Sequence, residues 1–143
     1  MSKINSDIKI FSFEIIDFIK KRFDENILIN KFTNITTFNK GIDSKRKKNN
    51  IQLGWSQSDS VLTSVSRITN YNTGKKIDCI SIDDFVKEND KPIKNKNIFM
   101  KIDTEGTELN VVKGMLKLLN ENNVDMLIEI NDRNKSKFSN ILK

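Results

Sequence analysis

The 143-residue chain contains no histidine, one cysteine, one proline, one tryptophan, one tyrosine and five glycines. Without imidazole there is no Ser-His-Asp triad, no Cys-His pair and no metal cluster built on histidine, and no other metal site is expected. The lone Cys79 cannot form an internal disulfide, and within Ile-Asp-Cys-Ile-Ser-Ile it reads as a small buried hydrophobe. No apolar run approaches the length of a membrane span, and residues 1–7 lack the basic start and apolar core of a secretory leader. The expectation is therefore a cytoplasmic protein without a membrane partner. The glycine-rich turn with which phosphate-binding α/β folds approach a ligand is absent from the sequence.

What charge there is leans positive: 25 lysines and arginines against 19 aspartates and glutamates, a formal +6. Lysine can neutralise nucleic-acid phosphates, but the excess is spread along the chain. The one dense cluster, Lys45-Arg46-Lys47-Lys48, lies between Asp43 and Asn49-Asn50, where it reads as a solvated loop. No aromatic residues alternate with it as on a base-stacking platform, so no specific nucleic-acid partner is expected. With a mean hydropathy of -0.50, the length suits one modest domain, residues 1–143.

The stretch Asn97 to Leu119, NIFMKIDTEGTELNVVKGMLKLL, organises the rest. Ile98, Phe99, Met100 and Ile102 form an apolar run, as in a parallel strand buried on both faces. Asp103 ends it, Gly106 permits a sharp turn, and Thr107 with Glu108 places a capping hydroxyl and a negative charge where a helix starts. Leu109, Val112, Met115, Leu116 and Leu119 then recur at helical spacing. A carboxylate just past a parallel strand lies where open α/β sheets bind ligands, which makes Asp103 and Glu105 candidates. An ordinary helix N-terminal charge is the competing explanation.

The wording KIDTEGTELNVVKGMLKLL, with LIEI about a strand later, resembles the Lys-Ile-Asp-x-Glu-Gly turn of the FkbM-type methyltransferases. These use S-adenosylmethionine and mostly methylate hydroxyl oxygens. The resemblance implies an α/β, Rossmann-like class I methyltransferase sheet.

Taken in order, Ile8 to Phe13 reads as a strand ending at Glu14. Ile15 to about Ile29 reads as a helix with Ile15, Ile16, Ile19, Phe23 and Ile27 on one side, Lys20, Lys21, Asp24 and Glu25 on the other, and Asn30 as its stop. Ile35 to Phe38 is a second strand. A short strand is expected at Ile51 to Leu53, and a polar loop or the start of a lid at Gly54 to Ser60, where Trp55 either stacks on a ring or anchors the loop. A strand at Ile77 to Ile80 leads through Ser81 and Asp84, spaced as a capping box, into a helix from Ile82 to Asn89. A loop at Asp90 to Lys96 precedes the Asn97 strand, and Val124 to Ile130 is the last strand. Phe138, Ile141 and Leu142 are spaced for another helix.

The resemblance assigns roles by position. Glu14, in a Phe-Glu motif where the family usually continues with proline and this chain has Ile15, corresponds to the acid that holds the cofactor ribose. Asp103 and Glu105 lie near the sulfonium and the acceptor hydroxyl, and Glu129 faces the substrate side. The acceptor is a small-molecule or glycan hydroxyl. The matching stretch, Ile8 to Ile130, corresponds to the middle of the family domain. The family's first strand and glycine loop would lie before Met1 and its closing strands after Lys143, leaving an incomplete sheet. Its neighbours close the gap, or a partner chain supplies the strand, or the chain is a fragment of a longer gene product. Truncation leaves open an enzyme that is inactive in this form, and the rival to an enzyme is a non-catalytic Rossmann-like remnant or interaction module that binds no cofactor. A basic RNA-binding module is a further rival.

Overall fold

In the computed structural model the chain divides into two compact units, Met1–Gly41 and Ile42–Lys143, each described by itself. The structure describes residues 7–52, 67–69, 74–89, 93–130 and 138.

The first unit is a β-α-β crossover. Strands β1 (Ile10–Phe13) and β2 (Ile35–Phe38) pair in parallel, with Ile10 opposite Ile35 and Phe13 opposite Phe38. Parallel strands cannot be joined by a tight turn, and helix α1 (Asp17–Ile29) makes the connection. The Phe13 and Phe38 rings stack with centroids 5.2 Å apart. Helix α1 begins after Ile16, which offers no side-chain cap; the Glu14 carboxylate instead accepts a hydrogen bond from the Ile16 amide at 2.8 Å. At the other end the Asn30 amide bonds to the Asn26 carbonyl, and Lys31 turns the chain away at φ 54°.

The helix is less amphipathic than its spacing predicts. Ile19, Phe23 and Ile27 are only half-buried, no residue within α1 is fully buried, and Leu28 and Ile29 are 79% and 75% exposed. Asp24, expected on the polar side, instead takes the Thr37 hydroxyl of β2 and pairs with Lys20 at 2.6 Å.

The second unit carries two sheets. In the first, with order β3-β6-β4-β5, β4 (Lys47–Gln52) runs antiparallel to both β5 (Arg67–Thr69) and β6 (Lys76–Ile80), and the short β3 (Gly41–Ile42) lies beside β6. The basic run expected in a loop thus enters a strand. Its charges are neutralised in place: Lys47 pairs with Asp43 at 3.0 Å, Lys48 with Asp78 at 3.7 Å, and Arg46 with Glu88. Asp43 itself is buried. It accepts hydrogen bonds from the Ser44 amide and hydroxyl and from Asn49. Burial alone would push its carboxyl upward, but the Ser44 amide, Lys47 and Asn49 together hold it below the usual range. Cys79 is buried, as expected, and desolvation raises its thiol above the ordinary value. Leu53 and the Gly54–Ser60 loop with Trp55 lie outside the described residues.

Helix α2 (Ile82–Glu88) starts as read from sequence, the Ser81 hydroxyl accepting from the Asp84 amide at 3.1 Å. Asp83 does something else. Its carboxylate accepts the Lys117 and Leu118 amides at 3.0 and 2.9 Å, so it caps a helix 34 residues further along.

The second sheet is the parallel pair β7 (Asn97–Ile102) and β8 (Asn123–Ile128), with Ile102 opposite Ile128. The parallel pairing agrees with the sequence reading, but burial on both faces does not. Burial alternates along β7, and Phe99 and Leu127 are both 56% exposed. One face packs inward through Ile102; the other is open among the described residues.

The connection between β7 and β8 was read as one helix and is two. Helix α3 (Glu108–Lys113) ends at Gly114, and α4 (Leu116–Glu121) begins after Met115. A β-carbon on Gly114 would lie 2.4 Å from the Asp43 carbonyl oxygen and 3.2 Å from both Ser44 Cα and Ser81 Cβ. The backbone of α3 therefore touches the neighbouring chain here, and the Gly114 carbonyl accepts the Asp83 amide. The break rephases the apolar stripe: Val111, Val112, Met115 and Leu118 are buried, whereas Leu116 is exposed. Phe138 is helical and buried; its expected companions Ile141 and Leu142 lie outside the described residues.

Candidate functional site

The acidic turn follows from how β7 ends. After Ile102 the chain leaves the sheet, and Glu105 and Gly106 both take positive φ, 54° and 112°. Glycine accepts this freely; glutamate does so at a cost of about 1–3 kcal/mol. The turn is held from inside by Glu108. Its Oε1 accepts the Gly106 amide at 2.7 Å, the Thr104 hydroxyl at 3.2 Å and the Thr104 amide at 3.3 Å. Thr107, expected to cap α3, makes no side-chain cap; its hydroxyl lies 3.5 Å from the Thr104 carbonyl. Glu108, read as a helix-start charge, is instead buried, with 2% of its surface exposed. The signal in the sequence was a glutamate directly after a glycine turn, and helix-dipole reasoning accounted for it too easily.

Asp103 is exposed at the end of β7 and pairs with Lys101 at 2.9 Å. That pairing, and secondarily the charge of Glu129, raises the Lys101 ammonium above its ordinary value. Glu129 follows the end of β8, its amide bonded to the Ile102 carbonyl at 3.0 Å. Asp103 and Glu129 therefore take adjacent places at the carboxyl end of the parallel pair, and the charges of both act on Lys101. Glu105 is half-buried, and its carboxylate makes no hydrogen bond or ion pair among the described residues.

Glu14 belongs to the first unit and lies at the carboxyl end of β1. Its amide bonds to the Phe38 carbonyl and its carbonyl accepts the Asn39 side chain. One carboxylate oxygen is taken by Ile16; the other has no partner among the described residues.

Asp103, Glu105 and Glu129 of the second unit, and separately Glu14 of the first, offer carboxylate oxygens, which only accept hydrogen bonds when ionised. The carboxylates of the second unit suit a ligand that brings a cation or hydroxyl donors. A cavity of about 330 Å³, lined by Asn95, Asn97, Asn120, Asn122 and Asn123 among others, lies elsewhere, at the amino ends of β7 and β8. No group of three or more Cys, Asp or Glu able to hold a metal occurs among the described residues.

Two parallel strand pairs joined by helices and a four-stranded sheet make this a mixed α/β protein, consistent with a methyltransferase-like fold. Residues 8–143 match the family model of the methyltransferase FkbM domain. The chain belongs to that family, and with it to the S-adenosylmethionine-dependent methyltransferases as a class. No curated protein and no solved structure matches it. No helix among the described residues is long and apolar enough to cross a membrane.

Proposed function

We propose that this chain is a methyltransferase that transfers a methyl group from S-adenosylmethionine to a hydroxyl oxygen. The observation that carries the reading is the Asp103–Glu105 turn at the carboxyl end of a parallel strand pair, where Glu105 keeps an uncommitted carboxylate in the left-handed region. Bound S-adenosylmethionine would supply an electrophilic methyl on a positively charged sulfur, the carbon-sulfur bond breaking so that the sulfur leaves as a neutral thioether. The remaining roles fall to the chain. Glu14 accepts from a ribose hydroxyl with its free oxygen. Glu105 orients the acceptor hydroxyl and takes its proton as the new carbon-oxygen bond forms. Asp103, tied to Lys101, contributes negative charge beside the sulfonium, and Glu129 faces the acceptor, a small-molecule or glycan hydroxyl. The site works in the cytoplasm.

An incomplete Rossmann-like sheet belongs to the same reading. The pair β7–β8 is two-stranded among the described residues, and a strand supplied by a partner chain completes it. One observation favours the rival reading of a non-catalytic remnant: the Ile16 amide already occupies one Glu14 oxygen.

The test is calorimetric titration of the folded chain with S-adenosylmethionine, beside Glu14→Gln. Saturable binding weakened about tenfold by the substitution, roughly the value of one charge-assisted hydrogen bond, supports the reading. Absence of binding by a folded chain leaves the remnant.

A further inference from the structure

The methyltransferase reading gives Glu108 no role, yet it is the most deeply buried carboxylate of the acidic turn. Its Oε1 gathers three donors from Thr104 and Gly106, the residues that bracket Glu105. Its Oε2 is buried without a partner among the described residues. A desolvated carboxylate oxygen and a glutamate at positive φ each lower stability. A turn chosen for stability alone would have neither. Both are retained where the carboxylates of Asp103 and Glu105 emerge from the sheet, the kind of place where local strain serves geometry.

We propose that Glu108 is a positioning residue: by clamping the Thr104 and Gly106 amides it fixes the backbone of Glu105 and so aims the Asp103 and Glu105 carboxylates at a cationic ligand. This rests on the reading of the turn as a sulfonium site. Glu108 acts through the backbone and not as a ligand contact. An acceptor atom at Oε1 is what matters, and a glutamine, whose amide oxygen also accepts, replaces it.

The clamp is separable from a purely structural role by comparing two probes that differ in charge at sulfur. S-adenosylmethionine carries the sulfonium; S-adenosylhomocysteine, which lacks only the sulfur-bound methyl, has a neutral thioether. Both are titrated into the wild-type chain, Glu108→Ala and Glu108→Gln, with hydrogen exchange of the Thr104 and Gly106 amides followed by NMR. The expected result is a wild-type preference for the sulfonium that falls about tenfold in Glu108→Ala, the scale of two partly exposed charge interactions. Affinity for S-adenosylhomocysteine stays within about twofold, since the change does not act through charge there. Glu108→Gln keeps most of the preference, and the two amides exchange faster only in the alanine variant. If Glu108→Ala does not fold, Thr104→Val, which removes one of the three donors, replaces it and is expected to lose part of the preference.

An unchanged preference in Glu108→Ala with deprotected amides overturns the proposal, as does a glutamine variant that loses as much as alanine. Equal wild-type binding of both probes overturns it as well. A folded wild type that binds neither probe is a different failure, since it removes the sulfonium site itself.

Discussion

Replacing Gly114 by alanine tests the packing of the second unit through the sign of the effect. At Gly114 the backbone has φ -85° and ψ 4°, which any residue adopts, so no conformational penalty arises. Judged from the sequence, Gly→Ala late in a helix should stabilise by up to about 1 kcal/mol, through lower backbone entropy in the unfolded chain and better helix propensity. The structure reverses this. The new β-carbon would sit 2.4 Å from the Asp43 carbonyl oxygen, nearly 1 Å inside ordinary contact, and the obstacle is backbone, which cannot rotate aside. Overpacking of this kind costs about 1–3 kcal/mol, and the upper half of that range is expected. Moving α3 away also lengthens the bond from the Asp83 amide to the Gly114 carbonyl, 2.9 Å in the native chain. A loss of about 2–3 kcal/mol lowers the melting temperature by roughly 4–12 °C for a chain of this size. Thermal unfolding followed by circular dichroism at 222 nm on the two proteins decides it. An alanine variant that melts at or above the wild type refutes the close approach of α3 to Asp43.

Other outcomes follow from single contacts. Asp83→Ala should destabilise by about 1–2 kcal/mol through loss of the α4 cap, while Asp83→Asn, which keeps one acceptor, loses less; urea unfolding ranks the three. The Asp43 carboxyl is lower in the folded state than its ordinary value of 3.8, so its stabilisation is complete above that value and disappears as pH falls through the folded one. Asp43→Asn should therefore flatten the rise of unfolding midpoint with pH below 3.8. Asp24, lowered chiefly by Lys20 and Thr37, leaves a residual slope in that window. Burial raises the Cys79 thiol, so iodoacetamide at pH 8 should leave it unmodified in the folded chain and alkylate it in denaturant; rapid labelling without denaturant would contradict its burial.

The sequence determined those features that depend on neighbours within a few residues. The β1-α1-β2 crossover follows from a change of apolar period at Glu14, and β2 occupies Ile35–Phe38 as read. The cap of α2 is local too, three residues from hydroxyl to amide. Likewise the acidic turn is written in the chain, since Gly106 and the end of an apolar run mark it, and its wording is enough to indicate the family.

Other features were invisible because their causes are distant in sequence. Gly114 reads as an ordinary helical glycine until Asp43 is brought against it, and only that contact splits the helix and rephases its buried stripe. Asp83 reads as a local cap until α4 arrives. Lys48 reads as a loop charge because the acid that neutralises it, Asp78, is placed opposite it by sheet pairing. Composition carries charge and apolar content, but burial depends on which surfaces meet. The sequence therefore specified the carboxylates of the turn, and the tertiary structure decided that Glu108 is the one turned inward.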